Sequence, residues 1–138
     1  MFEVLNIPQH LFIKNENFIL NISSKYVATF KTSSKFNDVE ISIFGTGIHD
    51  PKSEKEFNLD KIRKIMEVNY FGTMNSINSV YNYYNDKKSG QISIISSVAG
   101  YRGLPAAGAY CASKSALTSF AESLHFEMRR KNVRVSLV

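Results

Sequence analysis

The chain has 138 residues with a net charge of +5, 43% hydrophobic and 21% charged residues, a balance that suits one soluble globular domain with its own core. It holds no apolar run near the ~18 residues a membrane span needs, and Met1–Ile22 is broken by Glu3, Pro8, His10, Lys14, Asn15 and Glu16, which makes a poor signal peptide. The one cysteine, Cys111, excludes a disulfide within the chain and fits a reducing compartment, so a cytoplasmic protein is expected. The positive charge is scattered except at Arg129, Arg130 and Lys131, which close a predicted helix where cations complement the helix dipole; no nucleic-acid partner and no membrane partner is expected.

Residues 1–38 form a divergent N-terminal segment of short apolar runs between Asn, Ser and Lys. Phe18–Ile22, Ser23-Ser24-Lys25 and Tyr26–Phe30 predict a β-hairpin. His10 reads as a surface residue. A strand is predicted over Val39–Phe44, ending at Gly45-Thr46-Gly47, and the loop after it carries His49 and Asp50, too sparse a pair for a metal site. Asn58 is placed to cap a helix over 59–85, along which Ile62, Ile65, Met66, Phe71, Met74, Ile77, Val80, Tyr81 and Tyr84 recur at three- and four-residue steps. Gln91–Ser97 follows as an isoleucine-rich strand, then a loop with three glycines, then a helix over 109–130. A last strand spans Val133–Val138. This alternation predicts a parallel α/β sheet.

Tyr110 and Lys114 stand four apart on the second helix and so share a face. A neighbouring ammonium favours the phenolate, which makes the pair a candidate proton donor and acceptor. Spacing alone does not single it out, because Tyr83 with Lys87 and Tyr84 with Lys88 repeat it; those pairs fall at a helix end and are expected to be solvated. Tyr110 differs in having Ser97 thirteen residues upstream, at the carboxyl end of a strand, where open parallel sheets bind ligands. A serine hydroxyl there can orient a substrate oxygen. Cys111, beside the tyrosine, reads as a small packing residue.

Four segments now stand in order: Val68-Asn69-Tyr70-Phe71-Gly72, Ser96-Ser97-Val98-Ala99-Gly100-Tyr101-Arg102-Gly103-Leu104-Pro105, Tyr110-Cys111-Ala112-Ser113-Lys114-Ser115-Ala116-Leu117, and Glu122 to Val138. Together they resemble the short-chain dehydrogenase/reductase family over about residues 39–138. The resemblance implies hydride transfer between NAD or NADP and a small-molecule alcohol or carbonyl substrate. Tyr110 would be the general acid/base, Ser97 would polarise the substrate oxygen, and Lys114 would hold the nicotinamide ribose and favour the phenolate. Asn69 would bind a water in a relay to Lys114. Gly45 and Gly47 would let the cofactor pass close to the backbone, although Phe44-Gly45-Thr46-Gly47 stands where the family usually has Asn-Asn-Ala-Gly.

The first glycine is Gly45, so residues 1–44 cannot contain the glycine-rich loop that receives a cofactor pyrophosphate. The chain also ends before the Pro-Gly turn and substrate loop that follow the last matching strand in the family. The expected fold is therefore α/β, a partial Rossmann-like doubly wound parallel sheet lacking the N-terminal Gly-rich βαβ unit and the C-terminal substrate loop. Two functional readings follow: a short-chain oxidoreductase, or a catalytically inactive fragment retaining a helix-packing surface. On the second, homo-oligomers would form through helices 59–85 and 109–130, with Phe71, Met74, Phe120 and Phe126 on the contact.

Overall fold

The computed structural model describes the backbone of residues 12–14, 17–19 and 39–138. The elements in chain order are β1 (Phe12–Lys14), β2 (Asn17–Ile19), β3 (Ile41–Phe44), α1 (Pro51–Lys55), α2 (Leu59–Met66), a π-helical turn (Glu67–Phe71), α3 (Gly72–Lys87), β4 (Gln91–Ile94), a 3₁₀ turn (Val98–Gly100), α4 (Gly108–Arg129) and β5 (Arg134–Leu137). They build one sheet in the order β1-β2-β3-β4-β5. Strands β2 to β5 run parallel, and β1 is antiparallel to β2. This is the expected partial Rossmann-like α/β sheet. The hairpin arm expected at Tyr26–Phe30, like His10, lies outside the described residues; the antiparallel pair that is described joins Phe12–Lys14 to Asn17–Ile19.

Isoleucine and valine fill the inner strands because branched side chains pack well on a pleated surface. Alternation then sorts them: Phe44, Ile92, Ile94 and Val135 join one buried cluster with Ile77 and Tyr84 of α3 and Leu117, Ala121, Leu124 and Met128 of α4. Both long helices therefore share one face of the sheet. On the opposite face Gln91 donates through Nε2 to the hydroxyls of Ser93 (2.9 Å) and Ser136 (3.1 Å), stitching β4 to β5. Pairing continues past the end of β4 through Ile95 N–H to Phe44 O (2.8 Å) and Ser96 N–H to Val138 O (2.6 Å), which carries the chain in extended form toward Ser97, as the sequence predicts.

The helix ends obey local chemistry. Asn58 caps α2 as expected, its Oδ1 accepting from Lys61 N–H at 3.0 Å. α4 ends with Asn132 in the left-handed region (φ 56°), with Val133 N–H bonded to Met128 O and Asn132 N–H to Arg129 O, a Schellman arrangement with asparagine in the usual glycine position. Lys131 lies 5.3 Å over the Tyr81 ring, so part of the terminal basic cluster is tied to α3.

The helix expected over 59–85 runs unbroken to Lys87 and carries a π turn within it: Gly72 N–H bonds back to Glu67 O, five residues earlier, inserting one residue. Within this turn Val68 and Asn69 are buried and Phe71 is half exposed. A periodicity of apolar residues cannot register one extra residue between two otherwise ordinary helices. The expectation that the two other Tyr–Lys pairs are solvated is corrected for all but Lys88, which is exposed. Tyr84 is fully buried, its hydroxyl 2.8 Å from Ser42 Oγ. Tyr83 Oη accepts from Val39 N–H (2.8 Å) while Lys87 Nζ donates to Val39 O (3.0 Å), so this pair grips both polar groups of the residue that leads into β3.

Gly90 connects α3 to β4 with φ at +116°, and a Cβ there would lie 2.6 Å from Tyr84 Cε1 and 2.9 Å from Glu40 O. Nothing stands within 4 Å of the corresponding point at Gly103. Gly90→Ala should therefore cost about 2–4 kcal/mol, from overpacking together with backbone strain. Gly103→Ala should stay within ~0.5 kcal/mol of the parent, as surface changes do. Urea unfolding midpoints of the two variants check the contrast.

Candidate active site

The site forms at the carboxyl ends of β3 and β4, where the loops after these strands meet the π turn and the start of α4. Its centre is Asn69. This side chain has no exposure, and every polar atom on it is used. Oδ1 accepts from Ile48 N–H at 2.7 Å. Nδ2 donates to Ile48 O (3.0 Å) and to Ser113 Oγ (2.9 Å). The amide thus pairs with both backbone groups of one residue, as a neighbouring strand would, and spends its remaining proton on α4. Asn69 O in turn accepts from Thr73 Oγ1 at 2.8 Å, which steadies the π turn.

Ser113 extends the chain of bonds by donating to Tyr110 O at 2.7 Å. A hydroxyl can accept one bond and donate another, so it relays position from the π turn to the first turn of α4. Ser113 stands three residues after Tyr110 and one before Lys114. Its i,i+3 spacing from Tyr110 was legible in the sequence, but its role needed Asn69 as a partner and was missed.

Lys114 is buried, with 3% exposure, and its Nζ donates to Ile95 O at 2.9 Å. Burial among uncharged groups lowers its pKa from the ordinary 10.5, because desolvation penalises the ammonium. The Nζ lies 5.8 Å from the centre of the Tyr110 ring, so the expected shared face is real. Gly47 completes the inner wall: a Cβ there would sit 3.5 Å from Lys114 Nζ and 3.7 Å from Asn69 Oδ1. The ammonium spends one of its three protons on Ile95, leaving two for a vicinal diol such as a ribose. These groups fit the nicotinamide-ribose end of a dinucleotide.

The structure brings Gly47, Asn69, Tyr110 and Lys114 together. Ser97 and Gly45 make local contacts with other neighbours. Ser97 is extended (φ −169°), and its Oγ accepts from Ala99 N–H at 3.2 Å to cap the 3₁₀ turn. That turn is pressed onto α4 at Gly100, where a Cβ would fall 2.8 Å from Thr118 Oγ1 and 3.1 Å from Lys114 O. Gly45 sits against Ile95, 3.4 Å from its Cγ1 by the same measure. Cys111 is the packing residue expected, buried with Ala99 and Ala107, its sulfur accepting from Leu104 N–H at 3.3 Å. His49, read from sequence as an ordinary loop residue, places its ring 4.9 Å from that of Tyr110. Among the described residues no group of three or more His, Cys, Asp or Glu side chains could hold a metal, and no helix is long and apolar enough to cross a membrane.

Two measurements probe this centre. Asn69→Ala orphans the partly buried Ile48 N–H and Ile48 O and removes the bond that Ser113 Oγ accepts, and should cost about 2–4 kcal/mol by denaturant unfolding. For Lys114, the folded state binds fewer protons than the unfolded chain between the lowered pKa and 10.5. Stability should therefore gain from this group as pH rises through that window and lose the gain below it. Lys114→Met should flatten that alkaline rise in a pH series of unfolding midpoints, relative to the parent protein.

A family model for short chain dehydrogenases matches residues 19–138, reaching twenty residues further toward the start than the motifs do. A dehydrogenase/reductase SDR family protein 7-like from Drosophila melanogaster is 38% identical over 103 residues, 75% of this chain and 32% of that protein. A 3-dehydrosphinganine reductase from Danio rerio is 35% identical over 100 residues, covering 72% of this chain and 30% of that one. Among solved structures, the apo form of LigO from Sphingobium sp. strain SYK-6 superposes with a TM-score of 0.69 at 30% identity, over 75% of this chain and 38% of that one. The chain spans about a third of the length of the curated relatives it matches. The motifs, the parallel sheet and the match over most of its length make this chain a member of the short-chain dehydrogenase family.

Proposed function

We propose that this chain carries the reactive half of an NAD(P)-dependent oxidoreductase acting on a small-molecule alcohol or carbonyl compound. The observation that carries the reading is the contact of Gly47, Asn69 and Lys114 beside the Tyr110 ring at the carboxyl ends of the strands. Lys114 donates two N–H groups toward the ribose of a nicotinamide cofactor, which supplies or accepts the hydride when bound. Tyr110 gives its phenolic proton to the oxygen formed in carbonyl reduction and takes it back in alcohol oxidation. Ser97 turns its hydroxyl from Ala99 N–H to the substrate oxygen. Asn69 acts chiefly as a brace, since both of its amide protons are committed, and a water on the Lys114 side would be held by the backbone around it. Gly45 and Gly47 keep the wall low where the nicotinamide half would pass. The choice between NAD and NADP belongs to residues that meet the adenosine half. The 3-dehydrosphinganine reductase of Danio rerio makes 3-dehydrosphinganine the first substrate to assay. The cytoplasm suits the single unpaired cysteine.

The test is calorimetric titration with NADH and NADPH, followed by turnover of a carbonyl panel. Saturable binding of one cofactor is expected, and its absence for both sinks the reading for this chain. Tyr110→Phe should keep cofactor affinity and lose about 10²–10⁴-fold in turnover, the usual worth of a general acid.

A second reading, an inactive fragment that associates through its helices, draws on the exposure of Phe71 (50%) and Phe126 (69%). Met74 and Phe120 are partly buried against the chain's own core and contribute less. A dimer in sedimentation that binds neither cofactor, and that Phe126→Glu converts to monomer, would favour it over the enzyme.

A further inference from the structure

His49 sits two residues beyond Gly47, on the loop that follows β3, and its imidazole makes two separate contacts with the segment leading into α4. Nε2 lies 3.2 Å from Ala106 O. A carbonyl oxygen only accepts, so Nε2 carries the proton, and the neutral ring is fixed as the Nε2–H tautomer. The imidazolium also donates through Nε2, so this bond survives protonation of the ring. The second contact is with Tyr110, ring centroids 4.9 Å apart and planes inclined at 37°.

The carbonyl that His49 holds belongs to a strained residue. Ala106 has φ at +52°, the left-handed region that an alanine adopts only at some cost. It ends a segment, Tyr101 to Pro105, whose side chains are exposed, with Tyr101 at 73% and Leu104 at 40%. Two hydrogen bonds tie this segment to the body near its end: Leu104 N–H to the Cys111 sulfur (3.3 Å), and the His49 bond to Ala106 O. Immediately afterwards Ala107 O accepts from Cys111 N–H (2.7 Å) and α4 begins, with Tyr110 in its first turn.

We infer that His49 is a positioning residue for Tyr110. Its Nε2–H holds Ala106 in the left-handed conformation that aims the first turn of α4, and its ring backs the tyrosine ring on the side of the Gly45–Gly47 loop. Asn69 and Ser113 fix the backbone at Tyr110; His49 fixes the direction of the side chain. The kinetic consequence rests on the enzymatic reading above, but the geometry does not.

The roles separate by substitution. His49→Gln keeps a donor near the Nε2 position and removes the ring; His49→Phe keeps a ring and removes the donor; His49→Ala removes both. Two readouts need neither cofactor nor turnover. The first is acetylation of Tyr110 by N-acetylimidazole, followed by peptide mass spectrometry with exposed Tyr101 as internal reference. The second is ¹⁵N relaxation of the Gly103, Leu104 and Ala106 amides. His49→Phe should leave Tyr110 shielded while the segment loses order. His49→Gln should keep the segment ordered while Tyr110 labelling rises several-fold, and His49→Ala should lose both. If the parent turns over substrate, His49→Ala should lower kcat about ten-fold without moving the cofactor KM, the mark of a misaimed group.

An unchanged His49→Ala overturns the inference. So does failure of the Gln and Phe variants to separate, or a rise in hydrogen exchange at Ile92 and Ile94 in all three variants, which would make His49 a general folding determinant. A parent that binds no cofactor but shows the expected labelling and relaxation pattern refutes the enzymatic reading and leaves the positioning role intact.

Discussion

A buried amide with no exposure has to satisfy all its hydrogen-bonding groups within the protein, and Asn69 does so in the one way the surroundings allow. Ile48 supplies an N–H and a C=O, and Ser113 supplies a hydroxyl. Three pieces of chain that are distant in sequence are thereby locked at one point: the loop after β3, the π turn and the first turn of α4. The amide stands in the π turn Glu67–Phe71, where Val68 and Asn69 are both buried, as the neighbours Ser76 and Ile77 are in the α-helix that follows.

Around that point the site is assembled from backbone contacts more than from side-chain pairs. Lys114 bonds to Ile95 O, Ser113 to Tyr110 O, His49 to Ala106 O and Ser115 to Gly100 O at 3.0 Å. Bonds of this kind fix where the chain runs, and hence where the side chains that are left over point. Gly47 and Gly100 matter for the complementary reason, since each occupies a place where the chain passes close to Lys114 or the turn that bears it. The side chains of the candidate site are thus held by the packing around them.

Much of this was legible in the residues. The strand–helix alternation gave the parallel sheet, Asn58 gave its helix start, and the order of Asn69, Ser97, Tyr110 and Lys114 gave the family. What escaped had physical reasons. A π turn leaves no mark on apolar periodicity, so the extra residue within Glu67–Phe71 is not written there. The Tyr83–Lys87 pair has the spacing of Tyr110–Lys114, yet one pair grips the backbone at Val39 and the other faces the ligand end of the sheet, and only the fold distinguishes the ends. Ser113 and His49 act through partners 44 and 57 residues away, and a distance of that kind is not written in local spacing.

The burial of Lys114 has a consequence for how such a chain is kept by selection. A charged side chain withdrawn from water is a cost to the folded state, and the same desolvation lowers its basicity. An apolar residue of similar length would fill the same space without it. A chain retained for folding or association alone would gain by losing the ammonium, whereas a chain retained for chemistry must carry it. The lysine is thus a residue that packing alone would not select at this place.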